Sequence, residues 1–207
     1  MLKKNADKIL SRQDTKKLIE NLKKDYPAVV EELNAETLPL GTIQKVLQNL
    51  LKEGIPIRDL ATILEALIDY SKVTKNVEVL TEYVRHSLSE TIARLYCDER
   101  GVIHAIAMDP VLEQTLTHAL QNNRESSPSL GLSPAMIQGV HQSLQENIKI
   151  STISGYQPVV LCAATVRPYF YRLIHTTMPN VAVLSFTELP PETDIELLGK
   201  LEAYDEN

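Results

Sequence analysis

Two apolar stripes constrain this chain more than any other feature. Leu40, Ile43, Val46, Leu47, Leu50 and Leu51 recur at steps of three and one, and Ile57, Leu60, Ile63, Leu64, Leu67 and Ile68 repeat the same stepping. That rhythm lays one apolar face along an α-helix, and the strict alternation of a strand cannot produce it. Gly54 and Pro56 punctuate the gap, with Gly54 suited to the left-handed position that ends a helix. The stripes predict two amphipathic helices, over 40–51 and 57–70, meeting at a tight corner.

The flanking sequence extends this pattern. Ser11 with Asp14 three residues on reads as a capping box, followed by Leu18, Ile19 and Leu22 on one face. Pro27 ends that helix and opens a short one through Val29, Val30 and Leu33. Asn76 reads as an N-cap for a helix carrying Leu80, Val84, Leu88 and Ile92 at steps of four. Helices this short are marginal alone, so they must share a core. The expected division is a helical subdomain over 1–97 and a second subdomain over 98–207.

The second half changes character. Val102-Ile103-His104-Ala105-Ile106 beside Gly101 reads as a strand. Asp109-Pro110 and Ser133-Pro134 each place a cap before a proline, the usual start of a helix. Residues 122–132 read as a polar linker. The runs 158–163 and 181–185 read as apolar strands with a helix over 166–177 between them, a crossover unit that makes the strands parallel. A last edge strand is expected near 195–201. The expected fold class is α+β, mainly helical: an N-terminal helical subdomain, then a small α/β subdomain with a parallel βαβ unit.

Charge narrows the function. The net charge is −6, and residues 178–207 carry seven acids against one lysine, so the excess lies wholly at the C-terminal end. Non-specific nucleic-acid binding calls for a basic face instead. Cys97 and Cys162 form neither a zinc pattern nor a disulfide framework, and Cys162 sits in an apolar run as a small buried hydrophobe. No apolar stretch approaches the length of a membrane span, and no signal peptide is visible at Met1-Leu2-Lys3-Lys4.

Chemistry is sparse. His86, His104, His118, His141 and His175 have no His or Cys three or four residues away, so no local metal pair forms. The glycines are scattered, with no phosphate loop and no nucleophile elbow. No catalytic residue, cofactor or metal site is expected. The helical corner also fits a helix-turn-helix, and a DNA-binding regulator is the alternative reading. Its second helix, however, offers Arg58, Asp59, Thr62, Glu65, Ala66 and Asp69 where a DNA reader needs basic or amide side chains. A small enzyme built on the α/β half is the third possibility, and it needs a pocket with convergent polar groups.

The run from Val46 to Leu60 (VLQNLLKEGIPIRDL), followed by Ile63-Leu64-Glu65-Ala66-Leu67, resembles the signature of the FlhA/InvA/LcrD export-gate family. Leu80-Thr81-Glu82-Tyr83-Val84-Arg85, Asp109-Pro110-Val111-Leu112-Glu113, Val166-Arg167 and Val183-Leu184-Ser185-Phe186-Thr187-Glu188 fit later family segments in order. The resemblance runs from about Ala6 to Leu201. It implies a bacterial type III secretion protein with an N-terminal membrane domain and a cytoplasmic region of four subdomains, of which this chain resembles the last two. Its place would then be the cytoplasmic side of the inner membrane, attached through a region this chain lacks. It further implies a homo-oligomeric ring, typically of nine, that receives export substrates, chaperones and other export components. It implies no enzyme activity, no cofactor and no nucleic acid. The contexts of Asp69-Tyr70 and Thr81-Glu82 look flagellar.

The family often carries arginine where this chain has Ala61, so any subunit contact made by that arginine is missing. The family's chaperone cleft lies mostly in subdomains this chain lacks, and no chaperone-contact residue carries over. Arg58, Asp59, Glu65, Glu82 and Arg85 fall inside the matched motifs and are the candidate subunit or partner interface. Glu82 and Arg85 are spaced for a weak intrahelical pair. An arginine is also suited to meeting a carboxylate across a subunit boundary, because its planar fork binds bidentately.

Overall fold

The computed structural model describes residues 10–122 and 132–203. Most of the expected linker, and the last acids Asp205 and Glu206, lie outside the described residues. The chain divides into two compact units, Met1–Ile92 and Ala93–Asn207.

The first unit is helical. Helix α1 (Arg12–Leu22) starts at the expected capping box: Ser11 Oγ accepts from Asp14 N, and Asp14 Oδ2 accepts from Ser11 N, both at 3.1 Å. Helix α2 (Pro27–Glu31) is a single turn opened by proline. Helix α3 (Leu40–Lys52) buries Ile43, Val46, Leu47 and Leu50, the inner part of the first stripe. Gln44 and Gln48 on α3 both donate to the carbonyl of Leu10 at 2.9 Å, tying the chain ahead of α1 to α3.

The corner after α3 is a Schellman motif. Gly54 has φ +77, Ile55 N donates to Leu50 O and Gly54 N to Leu51 O, so two of the helix's orphan carbonyls are satisfied. Ile55 is buried, as the motif's accompanying apolar contact requires. Helix α4 then covers Leu60–Tyr70, not the expected 57–70. Pro56 biases the chain locally away from helix, and Asp59 accepts from Thr62 N at 3.2 Å, which fixes the start at Leu60.

Helix α5 (Val77–Ser87) is capped by Asn76, as expected. The helix expected to run on through Ile92 breaks at Leu88 (φ −96, ψ 20) and resumes as α6 (Ser89–Tyr96). Apolar residues at steps of four overshoot a 3.6-residue turn and drift about 40° per step. A straight helix would carry Ile92 off the face that buries Leu80, and the break keeps Leu80, Val84, Leu88 and Ile92 all buried. Within the unit, α1 packs on α2 and α3, α2 on α4, and α5 on both α3 and α4.

The second unit holds a four-stranded, fully parallel sheet in the order β3-β2-β1-β4. Its strands are β1 (Val102–Met108), β2 (Val159–Cys162), β3 (Ala182–Ser185) and β4 (Asp194–Leu201). Helices α7 (Pro110–Asn122) and α8 (Pro134–Ile153) lie between β1 and β2 in sequence, and α9 (Arg167–His175) lies between β2 and β3. Both cap-plus-proline starts are present: Asp109 accepts from Val111 N at 2.7 Å, and Ser133 from Met136 N at 3.1 Å. Ile106, Met108, Val160, Cys162 and Val183 face a core built with Leu112, Leu116, Val140, Leu144, Phe170 and Ile174. Ile103, Ala105, Leu161 and Leu184, of opposite parity, are buried too. Strands buried on both faces read as the continuous apolar runs seen here.

Strand β4 pairs with β1 along its length, with a register shift that leaves Leu198 as an extra residue opposite the Ala105–Ile106 step. Beyond that bulge α8 packs directly on β4. A Cβ on Gly199 would come within 2.0 Å of Asn147 Oδ1, so only glycine fits there.

Candidate functional site

The five residues singled out by motif occupy three different environments. Arg58 is exposed in the extended segment before α4 rather than on a helix, and Asp59 is the exposed N-cap. Glu65 is exposed on α4 and shares its outward face with Thr62 and Asp69, at i, i+3 and i+7. Arg58, Asp59, Glu65 and Asp69 therefore border one solvent-facing strip, while Ile63, Leu64, Leu67 and Ile68 are buried. Two of the strip's charges come from α4 itself and both are acidic, which opposes phosphate approach and the helix-turn-helix reading. Glu82 is half-buried on α5.

Arg85 departs from expectation. It is 1% exposed, and its Nη1 donates to Glu53 Oε2 at 2.8 Å. It is not a surface arginine reaching outward. It is a fastening inside the unit, holding α5 to the corner after α3. A second bond runs alongside, Asn49 Nδ2 to Thr81 Oγ1 at 3.1 Å, again between α3 and α5. Tyr70 and Tyr83 stack with ring centroids 3.9 Å apart, joining α4 to α5. The first two contacts put residues of the two matched motifs face to face, and the stacked tyrosines carry the seam on to Tyr70, just past the first motif. The motif spacing marks where the helices meet, and the exposed strip is what that meeting presents.

The second unit contains a constellation that sequence spacing did not reveal. His104, on β1, is 3% exposed. Its Nε2 lies 3.1 Å from Asp98 Oδ2, its Nδ1 lies 3.3 Å from Glu196 Oε2, and its ring stacks on Tyr156 at 3.6 Å. Asp98 also accepts from Val102 N and from Arg100 N. The Val102 amide first, and His104 second, hold the Asp98 carboxyl well below the usual carboxylate range. Asp98 lies only six positions from His104, but Glu196 comes from β4, so only the first partner was within reach of a local pattern.

The remaining candidates are ordinary. His141 bonds to the Ile137 carbonyl and to Thr177 Oγ1, His118 is exposed, and Cys162 is buried with Sγ 3.7 Å from the Leu184 carbonyl. Among the described residues, no group of three or more His, Cys, Asp or Glu could hold a metal ion, and no helix is long and apolar enough to cross a membrane. Lys200 ion-pairs with Asp109 and Glu202, which lowers the Asp109 carboxyl and raises the lysine.

Four likenesses bear on what such surfaces are for. The sequence pattern described as the FHIPEP family matches residues 1–194. The flagellar biosynthesis protein FlhA of Bacillus subtilis (strain 168) is 33% identical over 198 residues, which span 96% of this chain and 29% of that protein. Among solved structures, the Chlamydia pneumoniae CdsV and CdsO protein complex superposes with a TM-score of 0.86 at 32% identity, covering 97% of this chain and 57% of the matched one. The nonameric EPEC SctV-C, solved by cryo-electron microscopy, superposes with a TM-score of 0.82 at 30% identity, covering 96% and 59%. The chain thus spans under a third of the length of its Bacillus relative.

Proposed function

Because this chain belongs to the FHIPEP family, we propose that it is a ring-forming, partner-docking part of a bacterial type III protein-export gate, in a flagellar system. The observation that carries this reading is the likeness to a nonameric assembly across 96% of the chain. In this reading the helical unit contributes to subunit contact through the strip of Arg58, Asp59 and Glu65, with Glu82 at its margin. Arg85 contributes indirectly, by fixing α5 against the corner that leads to Arg58. The docking role is carried by surfaces rather than by reactive groups. Export substrates, their chaperones and a counterpart of CdsO are the partner classes, and a preceding membrane segment would hold the ring at the cytoplasmic side of the inner membrane.

The test uses the full cytoplasmic region of the parent protein. Arg58→Glu and Glu65→Lys are compared with the unaltered protein by light scattering across concentration. Arg58 and Glu65 are exposed, so folding is retained and can be checked by circular dichroism. The expected result is a loss of the large species in at least the Arg58→Glu protein. Unchanged assembly in both variants would remove this strip from the ring contact.

A further inference from the structure

Strand β4 is fastened to its unit in two different ways. Beyond the bulge at Leu198, Asn147 Nδ2 on α8 donates to the Lys200 carbonyl at 3.1 Å and to the Ser143 carbonyl at 2.9 Å. Ser143 Oγ accepts from Glu202 N at 3.1 Å, and Asp109 N donates to the Leu201 carbonyl at 2.9 Å. None of these groups titrates near neutral pH in a way that undoes the bond. Before the bulge, Asp194, Ile195, Glu196 and Leu197 are all exposed, although their backbone pairs with β1. The side-chain contact described for that half is Glu196 with His104.

We propose that His104 is a proton-controlled clasp for the first half of β4. A neutral imidazole carries one N–H, and an imidazolium carries two. Asp98 accepts from Val102 N, Arg100 N and Arg100 Nε, and as a carboxylate it can only accept from the ring as well. Nε2 makes the aligned ring contact and Nδ1 makes none, so the proton of a neutral His104 belongs on Nε2. Nδ1 is then a bare lone pair, buried, with no aligned hydrogen bond, 3.3 Å from a carboxylate oxygen of Glu196. Two acceptors face each other. Protonation turns Nδ1 into a donor, and a small swing of the exposed Glu196 side chain aligns a charge-assisted bond to it.

The neighbouring groups fit this assignment. Asp98, itself paired with Arg100, faces the ring from the turn before β1, Glu196 from β4, and Tyr156 from the segment after α8. Cys97 lies beside Asp98, and burial first, then that carboxylate, push its thiol upward. Lys200 is engaged with Asp109 and Glu202 beyond the bulge. The sign follows: the first half of β4 is held when His104 is charged and loosens as rising pH takes the second proton from the ring.

The experiment is amide hydrogen exchange on the intact chain between about pH 5.5 and 8, converted to protection factors to remove base catalysis, with the His104 ring followed by NMR. Protection of the β1-bonded amides within 194–197 falls roughly tenfold as the ring loses its proton, the equivalent of about 1.4 kcal/mol and the scale of a hydrogen bond to a charged group. Amides of 199–201 keep their protection. In Glu196→Gln the side-chain amide can donate to a neutral Nδ1, and the fall disappears. Flat protection at 194–197, a fall that persists in Glu196→Gln, an equal fall at 199–201, or a His104 ring that does not titrate in this range would each overturn the clasp.

Discussion

Arg85 in the helical unit and His104 in the sheet unit are both buried basic side chains set against carboxylates, yet solvent can undo only one of them. Arg85 meets Glu53, whose side chain is 10% exposed, and its guanidinium never gives up its proton in a protein. His104 meets Asp98 on one side and Glu196 on the other, and Glu196 is 59% exposed. The arginine pair joins two helices permanently. The histidine pair joins an edge strand on terms that depend on protons. A fixed lock lies under the motifs that match the family, and a conditional one lies at the sheet's open edge.

The largest test of that contrast is Arg85→Met. It takes the Arg85 guanidinium from the buried Glu53 contact and should cost about 3–5 kcal/mol, read as a lower urea midpoint for the helical unit. Adding Glu53→Leu should return most of that loss, because an apolar pair removes the buried carboxylate as well. A double variant as unstable as the single one would mean that the pair's worth lies in packing rather than charge.

Gly199→Ala probes the permanent grip on β4. Its Cβ would enter the space of Asn147 Oδ1, and Asn147 is buried and bonded to two carbonyls, so it cannot swing aside freely. A loss of about 1–3 kcal/mol is expected by thermal denaturation, in line with an overpacked core.

Acid supplies the smallest effect. Asp98, Asp109 and Asp14 are all held below the usual carboxylate range, by the Val102 amide, by Lys200 and by the Ser11 hydroxyl respectively. A folded value below the unfolded one gives stability that is complete above the unfolded value, near 4, and is lost as pH falls through the folded value. The melting temperature should therefore decline below about pH 4, and Asp98→Asn should make that decline shallower. An unchanged acid limb in Asp98→Asn would take Asp98 out of the account.

Much of the architecture was legible because its signals are local. Ser11 with Asp14, Asn76, Asp109-Pro110 and Ser133-Pro134 each start the helix they announce. The apolar runs at 159–162 and 182–185 are strands, joined in parallel by the helix between them. The misplacements arise where two local rules compete. At Ile57 the apolar rhythm argued for helix, but Pro56 and the Asp59 cap set a later start. At Leu88 the rhythm alone fits one helix, but steps of four cannot stay on one face for long, and the helix breaks there.

The side-chain pairings were less accessible. Arg85 finds its partner 32 positions away, and its spacing from Glu82 suggested a weak surface pair instead. His104 looked isolated because one of its partners arrives only with the last strand. Motif resemblance located the strip of Arg58, Asp59 and Glu65, but periodicity alone could not separate the exposed charges there from the buried one.

The separation of β4 from β1 along the sequence also bears on how the molecule is made. Val102 pairs with Asp194 and Met108 with Leu201, so one flank of β1 waits through α7, α8, β2, α9 and β3 before it gains its neighbour. Contacts that span so much sequence form late and slowly, whereas the helical unit closes through nearer partners. On the ribosome the helices can therefore set before the sheet does. The nascent chain meanwhile presents an incomplete β-edge, the kind of edge that invites mispairing until β4 emerges.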